Sequence, residues 1–279
     1  MRTRRNDPTQ IAEAQRLARE WWADNGEGIS LSETQIENAT GLGHAAASAT
    51  QNFGTKPWWR GQSVSTWQLQ PSVFRVDDPG HSYEQNIAQH FMLGARSRHQ
   101  NCPDDHDASN WLFLMQHYGL PTRLLDWTQS ILVAAHFAVR HEKYDHEDGA
   151  VWALKGTDLN QEQVGNPQYL SPVGSPARDL FREALGVHKG KPSNCIVATN
   201  SHQTDIRMMV QLSEFTLHGT SAPIEELPNN DKFLMQFIIP KAEKPALRGL
   251  LTAFGISESS LFPDLAHLAA DLKKQRYSS

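Results

Sequence analysis

Residues 110–139 read NWLFLMQHYGLPTRLLDWTQSILVAAHFAV, and this stretch decides the fold. Its first apolar positions predict a helix that ends near His117, because the Gly119-Leu120-Pro121 turn that follows stops helices. Residues 124–128 predict a short buried strand. Residues 129–139 are apolar nearly all round, which is typical of a helix enclosed by protein. A buried strand followed directly by a buried helix indicates the centre of a domain.

Further strands are predicted by short apolar runs on both sides of this centre, at residues 57–62, 149–154, 195–199, 215–218 and 233–239. Strands and helices mix without strict βαβ alternation, which favours an α+β fold. We expect a single mixed or antiparallel split sheet with surrounding helices. Residues 1–50 predict an N-terminal helical extension packed on the core, with a helix over 8–24 and mostly loop after it. Residues 51–279 predict the main domain, with a lid-like insertion at about 157–193.

Composition describes an ordinary globular protein, with 39% hydrophobic and 20% charged residues. The net charge of −5 gives no global attraction to nucleic acid, so such binding needs a local basic patch. No apolar run is long enough to span a bilayer or follows the basic start as a signal peptide would. Cys102 and Cys195 form no metal-binding spacing. We therefore expect a cytoplasmic protein with no membrane contact and no metal.

The stretch WWRGQ at 58–62 carries the first candidate site residues, Arg60, Gly61 and Gln62. Arginine offers planar, bidentate hydrogen bonds to phosphate or carboxylate. A glycine beside it leaves the backbone open to the same ligand. The alternative is a surface arginine stacked on Trp58 or Trp59.

The stretch PTRLLDWTQS at 121–130 carries the second set. In a strand, alternation puts Arg123 and Trp127 on one face and Asp126 and Thr128 on the other. Arg123 and Asp126 therefore need different partners, since an unpaired buried charge is costly. Either they bind a ligand, or Arg123 holds a loop carbonyl and Asp126 caps the next helix.

Three further residues are candidates for the site. Tyr118, on the turn after the first helix, offers a stacking face. Gln211 and Glu214 lead directly into a predicted strand, where a carboxylate that projects into a cleft can stabilise a developing positive charge. The alternative for Glu214 is an exposed residue at a strand start. The sequence contains none of the common nucleotide-binding, hydrolase or metalloprotease motifs.

WRGQ, PSVFR, QHYGLPTRLLDWT, GAVWAL, FTLHG and LFPDL, taken in order, resemble the FRG domain family of bacteria and phages. The aromatic-Arg-Gly motif of that family is matched by Trp59, Arg60 and Gly61. The resemblance runs from about residue 56 to residue 272, and the thirteen-residue central motif makes it specific.

More distantly, the order of motifs is similar to the Arg-Ser-Glu class of ADP-ribosyltransferases. Asp126-Trp127-Thr128 stands where that class has Ser-Thr-Ser, and Glu214 stands where it has its catalytic glutamate. The resemblance implies that NAD is the substrate and that Glu214 supports the ribosyl cation while Arg60 holds phosphate or ribose. Trp127 or Tyr118 would stack on nicotinamide. The other implied NAD-binding residues are Gly61, Gln62, Arg123, Asp126, Thr128, Ser130 and Gln211.

The resulting hypothesis is an NAD-dependent ADP-ribosyltransferase that acts as an intracellular toxin or phage-defence effector. Its acceptor would be nucleic acid (RNA or DNA) or protein, and a toxic enzyme would need a neutralising antitoxin protein. Local basic residues such as Arg96 and Arg98 do not decide between acceptors. The alternatives are a non-catalytic FRG module that binds a ligand or nucleic acid, and an NAD glycohydrolase.

Overall fold

A computed structural model of the chain describes residues 35–75, 81–200 and 206–274 and has one six-stranded sheet at its centre. Within these ranges the strands are β1 (Trp58–Gln62), β2 (Leu124–Thr128), β3 (Gly149–Leu154), β4 (Ile196–Thr199), β5 (Ser213–His218) and β6 (Leu234–Ile239). Their spatial order is β4-β5-β2-β1-β3-β6, and all neighbours are antiparallel. The helices are α1 (Ala39–Phe53), α2 (His81–Ala95), α3 (Ala108–His117), α4 (Ile131–Val139), α5 (Gly156–Val164), α6 (Ala177–Ala184), α7 (Ile206–Val210), α8 (Lys244–Ala253), α9 (Glu258–Leu261) and α10 (Leu265–Lys274). The predicted α+β class is confirmed.

The sheet is weakly joined between β1 and β2, which meet at one register position, Trp59 opposite Thr128. All other neighbouring strands keep register over at least four positions. Antiparallel strands are held together by hydrogen bonds at successive positions. β1 and β2 therefore separate beyond their single bridge, and space opens in the middle of the sheet.

The two faces of β2 enter different parts of the core, as alternation predicts. Leu125 and Trp127 belong to the cluster that contains Trp58 and Trp152, whereas Leu124 packs with the cluster around Trp111. Each buried side chain of this size contributes about 1.5–3 kcal/mol of burial free energy. β2 is thus anchored on both faces, which fixes the position of its charged residue, Asp126.

α4 confirms the predicted buried helix. Ser130 is its N-cap and accepts a hydrogen bond from the backbone of Val133. Asp126 therefore does not serve as the cap. The inner face of the helix carries small residues, including Ala134 and Ala138, which lie in one cluster with Trp59 of β1. Small side chains let the helix approach the strand closely, and this approach sets one wall of the space beside β1.

Three local predictions differ from the structure. Residues 39–53 form α1, not a loop, because Asn38 caps the helix and four apolar side chains bury one face of it. This helix runs through residue 50, the predicted boundary of the N-terminal extension. The sequence from residue 69 to residue 76 predicts an extended segment, but residues 72–75 form a short 3-10 helix. Within the predicted insertion, 157–193, the sequence predicts a helix near residues 177–185, which α6 confirms. It does not predict α5, because the sequence of α5 is mostly polar. The helix predicted over 8–24 lies outside the described residues.

No helix in the described ranges has the length and apolar composition needed to cross a bilayer. Nor do the described residues bring three histidine, cysteine or acidic side chains together in a group able to hold a metal ion.

Candidate functional site

A cavity of about 280 Å³ opens between β1 and β2, where the two strands separate. Its walls come from both strands, from α3 and α4, and from the segment that leads into β5. Four of its described lining residues are arginines, and of these lining residues only Asp126 carries a carboxylate. The lining side chains are Trp59, Arg60, Gly61, Gln62, Ser63, Trp67, Arg75, Gln116, Asp126, Trp127, Thr128, Phe137, Arg140, His141, Arg207, Gln211 and Ser213.

Arg60 lies at the point of separation and links the two strands through its side chain. Its Nη1 donates to the backbone carbonyl of Asp126 at 2.7 Å, and its buried Nε has no hydrogen-bond partner. Burial lowers the pKa of Arg60 to about 10, so the guanidinium stays charged at neutral pH. One edge of this cation therefore stabilises β2, and the stacked surface arginine considered from the sequence is wrong.

Asp126 is held by a short hydrogen-bond chain that the central motif encodes. The Gln116 Nε2 donates to the Asp126 Oδ2 at 2.8 Å. The Thr122 hydroxyl in turn donates to the Gln116 Oε1, which fixes the orientation of that amide. Asp126 is the one exposed residue of β2. This chain of hydrogen bonds therefore presents an oriented carboxylate to the cavity. Gln116 is a site residue that the sequence interpretation missed.

A second part of the cavity is formed by Arg140 and Arg207, which the sequence interpretation also missed. Both guanidinium groups lie over the ring of Phe262, at 5.0 and 4.5 Å from its centroid. The Arg140 Nε lies 3.1 Å from a Glu258 carboxylate oxygen, and the Arg207 Nη1 donates to the His117 carbonyl at 3.3 Å. α9 and the residue after it thus hold these two arginines.

The four arginines form two pairs of neighbouring like charges. Arg75 lowers the pKa of Arg60, and Arg207 lowers the pKa of Arg140, although burial is the larger cause at both sites. Asp126 and Glu258 raise these two pKa values by more than the neighbouring arginines lower them. Four arginines against one lining carboxylate still leave the described lining of the cavity with a net positive charge, which favours a bound anion. The cavity therefore suits a ligand that carries more than one negative charge.

Thr128, Ser130 and Gln211 hold the wall of the cavity together. The Thr128 hydroxyl donates to the Gln211 carbonyl at 2.6 Å and accepts from the Ser130 backbone at 3.1 Å. The Gln211 Nε2 donates to the Leu261 carbonyl at 3.0 Å. These polar groups join β2, the start of β5 and α9. Thr128 and Gln211 line the cavity, whereas the Ser130 hydroxyl caps α4.

Gly61 and Gln62 line the cavity, but their side-chain features serve packing and hydrogen bonds within the protein. A Cβ on Gly61 would meet the backbone of α4, so the missing side chain makes room for the helix and not for a ligand. Gln62 accepts from the Trp152 indole at 2.8 Å and donates to the Gln68 carbonyl at 3.2 Å. Both residues therefore shape the strand that presents Arg60.

Besides Ser130, three predicted site residues do not line the cavity. Glu214 is a buried residue of β5 that lies opposite Trp127 of β2, and it is not a lining residue. Its carboxylate accepts a hydrogen bond from the Gln129 side-chain amide at 2.8 Å. Tyr118 lies on the surface at the end of α3 and lines a different hollow. Arg123 precedes the first residue of β2 and is 1% exposed, with its charge paired inside the core.

The pairing of Arg123 corrects the face on which the sequence placed it. Its Nε donates to Glu84 of α2 at 2.8 Å, and its Nη1 lies 3.3 Å from Glu183 of α6. These helices pack on the face that carries Leu124, not on the face of Trp127. Because β2 begins only at Leu124, strand alternation does not extend to Arg123. This residue is part of an internal ion-pair network.

The Trp127 side chain begins a buried series of side-chain hydrogen-bond contacts that ends at His218. The Trp127 indole donates to the Thr216 hydroxyl at 3.1 Å, and that hydroxyl lies 3.0 Å from the His218 Nε2. An indole can only donate, so the hydroxyl proton is available to His218. Burial, together with the charges of Arg60 and Arg123, lowers the pKa of His218 to about 3.

His218 makes stability depend on pH. Between pH 6.5 and about 3 the unfolded chain binds a proton at this position and the folded chain does not. Stability is therefore lost as the pH falls through this window, by about 1.4 kcal/mol per pH unit from this group alone. We expect the difference in unfolding free energy between wild type and His218→Gln to shrink from about pH 7.5 to about pH 5 in urea titrations. A difference that stays constant over this range would contradict the assignment.

Comparison with known families now identifies part of the chain. Residues 55–147 match the FRG domain. The chain carries an FRG domain. No curated protein and no solved structure matches the chain significantly. The FRG domain contributes Arg60, Arg75, Asp126 and Arg140 to the cavity, whereas Arg207 comes from beyond its matched range.

Proposed function

We propose that this FRG-domain protein is an NAD-dependent ADP-ribosyltransferase whose donor site is the arginine-lined cavity. The observation that supports the proposal is the convergence of two arginine pairs, one oriented carboxylate and aromatic side chains at the separation of β1 and β2. NAD carries a diphosphate, two riboses and two flat rings. Guanidinium groups recognise phosphates by bidentate hydrogen bonds, and aromatic faces stack on the rings.

The proposed chemistry breaks the bond between nicotinamide and ribose. Nicotinamide leaves with the bonding electron pair, and the ribose C1′ develops positive charge as in glycoside hydrolysis. A nearby carboxylate stabilises that charge, after which the acceptor nucleophile attacks C1′ and releases a proton. Because Glu214 does not line the cavity, we assign the charge-stabilising role to Asp126. Arg60 and Arg140, which both line the cavity, would hold the diphosphate and keep the ribose near Asp126.

The biological setting of the proposal comes from the resemblance to phage and bacterial FRG proteins. In this setting the enzyme is a toxin or phage-defence effector in the cytoplasm, and its host needs a neutralising protein partner. The same donor site with water as acceptor would make the protein an NAD glycohydrolase. Product analysis separates these two enzymes, because only hydrolysis yields free ADP-ribose as its main product.

Asp126→Asn is expected to lower the rate of NAD consumption roughly 100-fold or more, as loss of an electrostatic stabiliser does in other enzymes. NAD binding should persist, since asparagine can still accept the hydrogen bond of Gln116. Release of nicotinamide from NAD, with cell lysate and nucleic acid as acceptors, measures the rate. Asp231→Asn, on an exposed 3-10 turn away from the cavity, is the matched control and should be neutral. If Glu214→Gln abolished turnover and Asp126→Asn did not, the assignment to Asp126 would be wrong.

Arg140→Gln tests the donor site itself and should raise the dissociation constant for NAD roughly tenfold or more, the usual scale for a lost charged hydrogen bond. The exposed Arg182, replaced in the same way, should leave the constant unchanged. Binding is measured by calorimetry without an acceptor. Wild-type protein that neither binds nor consumes NAD would overturn the proposal.

A binding module without chemistry is the second candidate function. It is favoured by the position of Glu214, the residue expected from the sequence to be catalytic, outside the cavity. In that case NAD or another polyphosphate would bind to the arginine pairs and remain intact. Intact NAD recovered from a tight complex, with every acceptor tried, would select this function.

A further inference from the structure

A second recess lies on the surface at the end of α3 and consists of two adjoining hollows of about 370 and 440 Å³. Both are lined by His99, Leu114 and Tyr118, so Tyr118 stands on the ridge between them. We name this recess the Tyr118 groove. Its remaining described lining residues are His90, Phe91, Gly94, Ala95, Arg98, Asn101, Pro103, Asn110, Phe113 and His117.

The chemistry of the Tyr118 groove differs from that of the chain as a whole. The chain has 31 acidic and 26 basic residues, yet no carboxylate occurs among the described residues that line the groove. They include instead one arginine, three histidines and two asparagines. Arg98 is exposed and uses only its Nη1 for local contacts, with Gly94 and Ser97. The groove is thus a local surface that does not repel phosphates on an otherwise acidic protein.

Three aromatic rings meet at the ridge of the groove, and the ring of Tyr118 among them is 56% exposed. Its ring centroid lies 6.2 Å from that of Phe91 and 6.1 Å from that of His99. Flat rings on a surface free of carboxylates are how proteins bind unpaired bases, because every base has a face that can stack. Asn110 adds a buried Oδ1 that has no hydrogen-bond partner.

Adjacent residues of the chain line this groove and the arginine-lined cavity. Gln116 lines the cavity and holds Asp126, whereas His117 and Tyr118 line the groove. The His117 carbonyl also accepts from Arg207, a cavity residue. A strand bound along the groove would therefore have a neighbouring nucleotide close to the cavity, as a transferase with a large acceptor requires.

We infer that the Tyr118 groove binds single-stranded nucleic acid, with bases on Tyr118 and phosphates near Arg98. If the proposed function is correct, this strand is the acceptor of ADP-ribose. Nucleic acid is favoured over a protein as acceptor, because the groove combines flat rings with an arginine and has no carboxylate among its described lining residues.

The test uses fluorescein-labelled single strands of RNA and DNA of one sequence, about 12 nucleotides long, and the corresponding DNA duplex. Anisotropy titrations of the full chain are done without NAD. At least one single strand should bind more tightly than the duplex. Tyr118→Ala should weaken binding roughly tenfold, the scale of one lost stacked base. Arg98→Ala should weaken binding and reduce its dependence on salt, since one phosphate contact is lost.

Matched controls keep the test specific. Tyr83→Ala removes a partly exposed tyrosine from the start of α2, and Arg182→Ala removes an exposed arginine from a hollow that Asp104 and Asp105 line. Neither change should alter oligonucleotide binding. The inference is overturned if neither single strand binds, or if Tyr118→Ala behaves like Tyr83→Ala.

The outcomes for the groove and for the cavity are separable. Arg140→Gln should weaken NAD binding and leave oligonucleotide binding intact, whereas Tyr118→Ala should weaken oligonucleotide binding and leave NAD binding intact. Oligonucleotide binding without NAD consumption supports the groove and contradicts the enzyme. NAD consumption that modifies only protein, with no oligonucleotide bound, supports the enzyme and contradicts the groove.

Discussion

Gly61→Ala is expected to leave the chain unable to hold its native fold. A Cβ at this position would lie 1.8 Å from the Ala134 carbonyl oxygen and 2.7 Å from the Ala138 nitrogen. Both atoms belong to the backbone of α4, so no side-chain rotation can relieve the overlap. The helix would have to move away from β1, and the packing of both would be lost. Overpacking of ordinary core sites costs about 1–3 kcal/mol, and we expect this substitution to exceed that range.

The measurement is the midpoint of thermal and urea unfolding, followed by circular dichroism. Gly43→Ala is the control, because nothing lies within 4 Å of a Cβ at that position in α1. Alanine is the better helix former by about 1 kcal/mol, so this control should be neutral or stabilising. A Gly61→Ala protein with wild-type stability would show that α4 does not lie against β1 in this way.

The sequence placed the main elements correctly where the pattern is local. β2 and α4 follow from one continuous stretch, whose apolar periodicity needs no information from elsewhere. α1 was missed because residues 39–53 contain many small and polar side chains, and tertiary burial of Leu42 and Phe53 decides their structure. The sequence drew attention to Gly61 but could not show why a glycine is needed there. The helix that packs against it, α4, begins 70 residues later in the chain.

The candidate site was only partly predictable for the same reason. Arg60 and Asp126 stand in motifs, and the structure brings them together in one cavity. Arg140 and Arg207 have no local signal, because the ring that supports both of them is Phe262, which is distant in sequence. Alternation in β5 shows that Glu214 and Phe215 point in opposite directions. It cannot show which direction faces the cavity, and this depends on how β1 and β2 separate.

Arg123→Met is expected to destabilise the fold by about 3–5 kcal/mol, the usual effect of removing one partner from a buried ion pair. Arg123 is 1% exposed, and its guanidinium lies between the carboxylates of Glu84 and Glu183, which are 2% and 7% exposed. Methionine fills much of the same volume but leaves two buried negative charges without their cation. Since this network joins α2 and α6 to the start of β2, urea unfolding should show the loss directly.

The same variant has a pH dependence of opposite sign to that of His218, which identifies the cause of its instability. Without the arginine, the folded state gains by binding a proton at a buried carboxyl that the solvated, unfolded chain leaves ionised. A state that binds more protons is stabilised by acid, so stability of Arg123→Met should rise relative to wild type as the pH falls from about 7 to about 5. Adding Glu84→Gln to this variant removes one of the two buried negative charges. The glutamine can still accept the hydrogen bond that the backbone N–H of residue 123 donates to Glu84 in the wild type. This double variant should recover part of the lost stability at neutral pH and lose part of the acid effect. If neither acid nor Glu84→Gln restores stability, the loss comes from packing around the guanidinium and not from uncompensated charge.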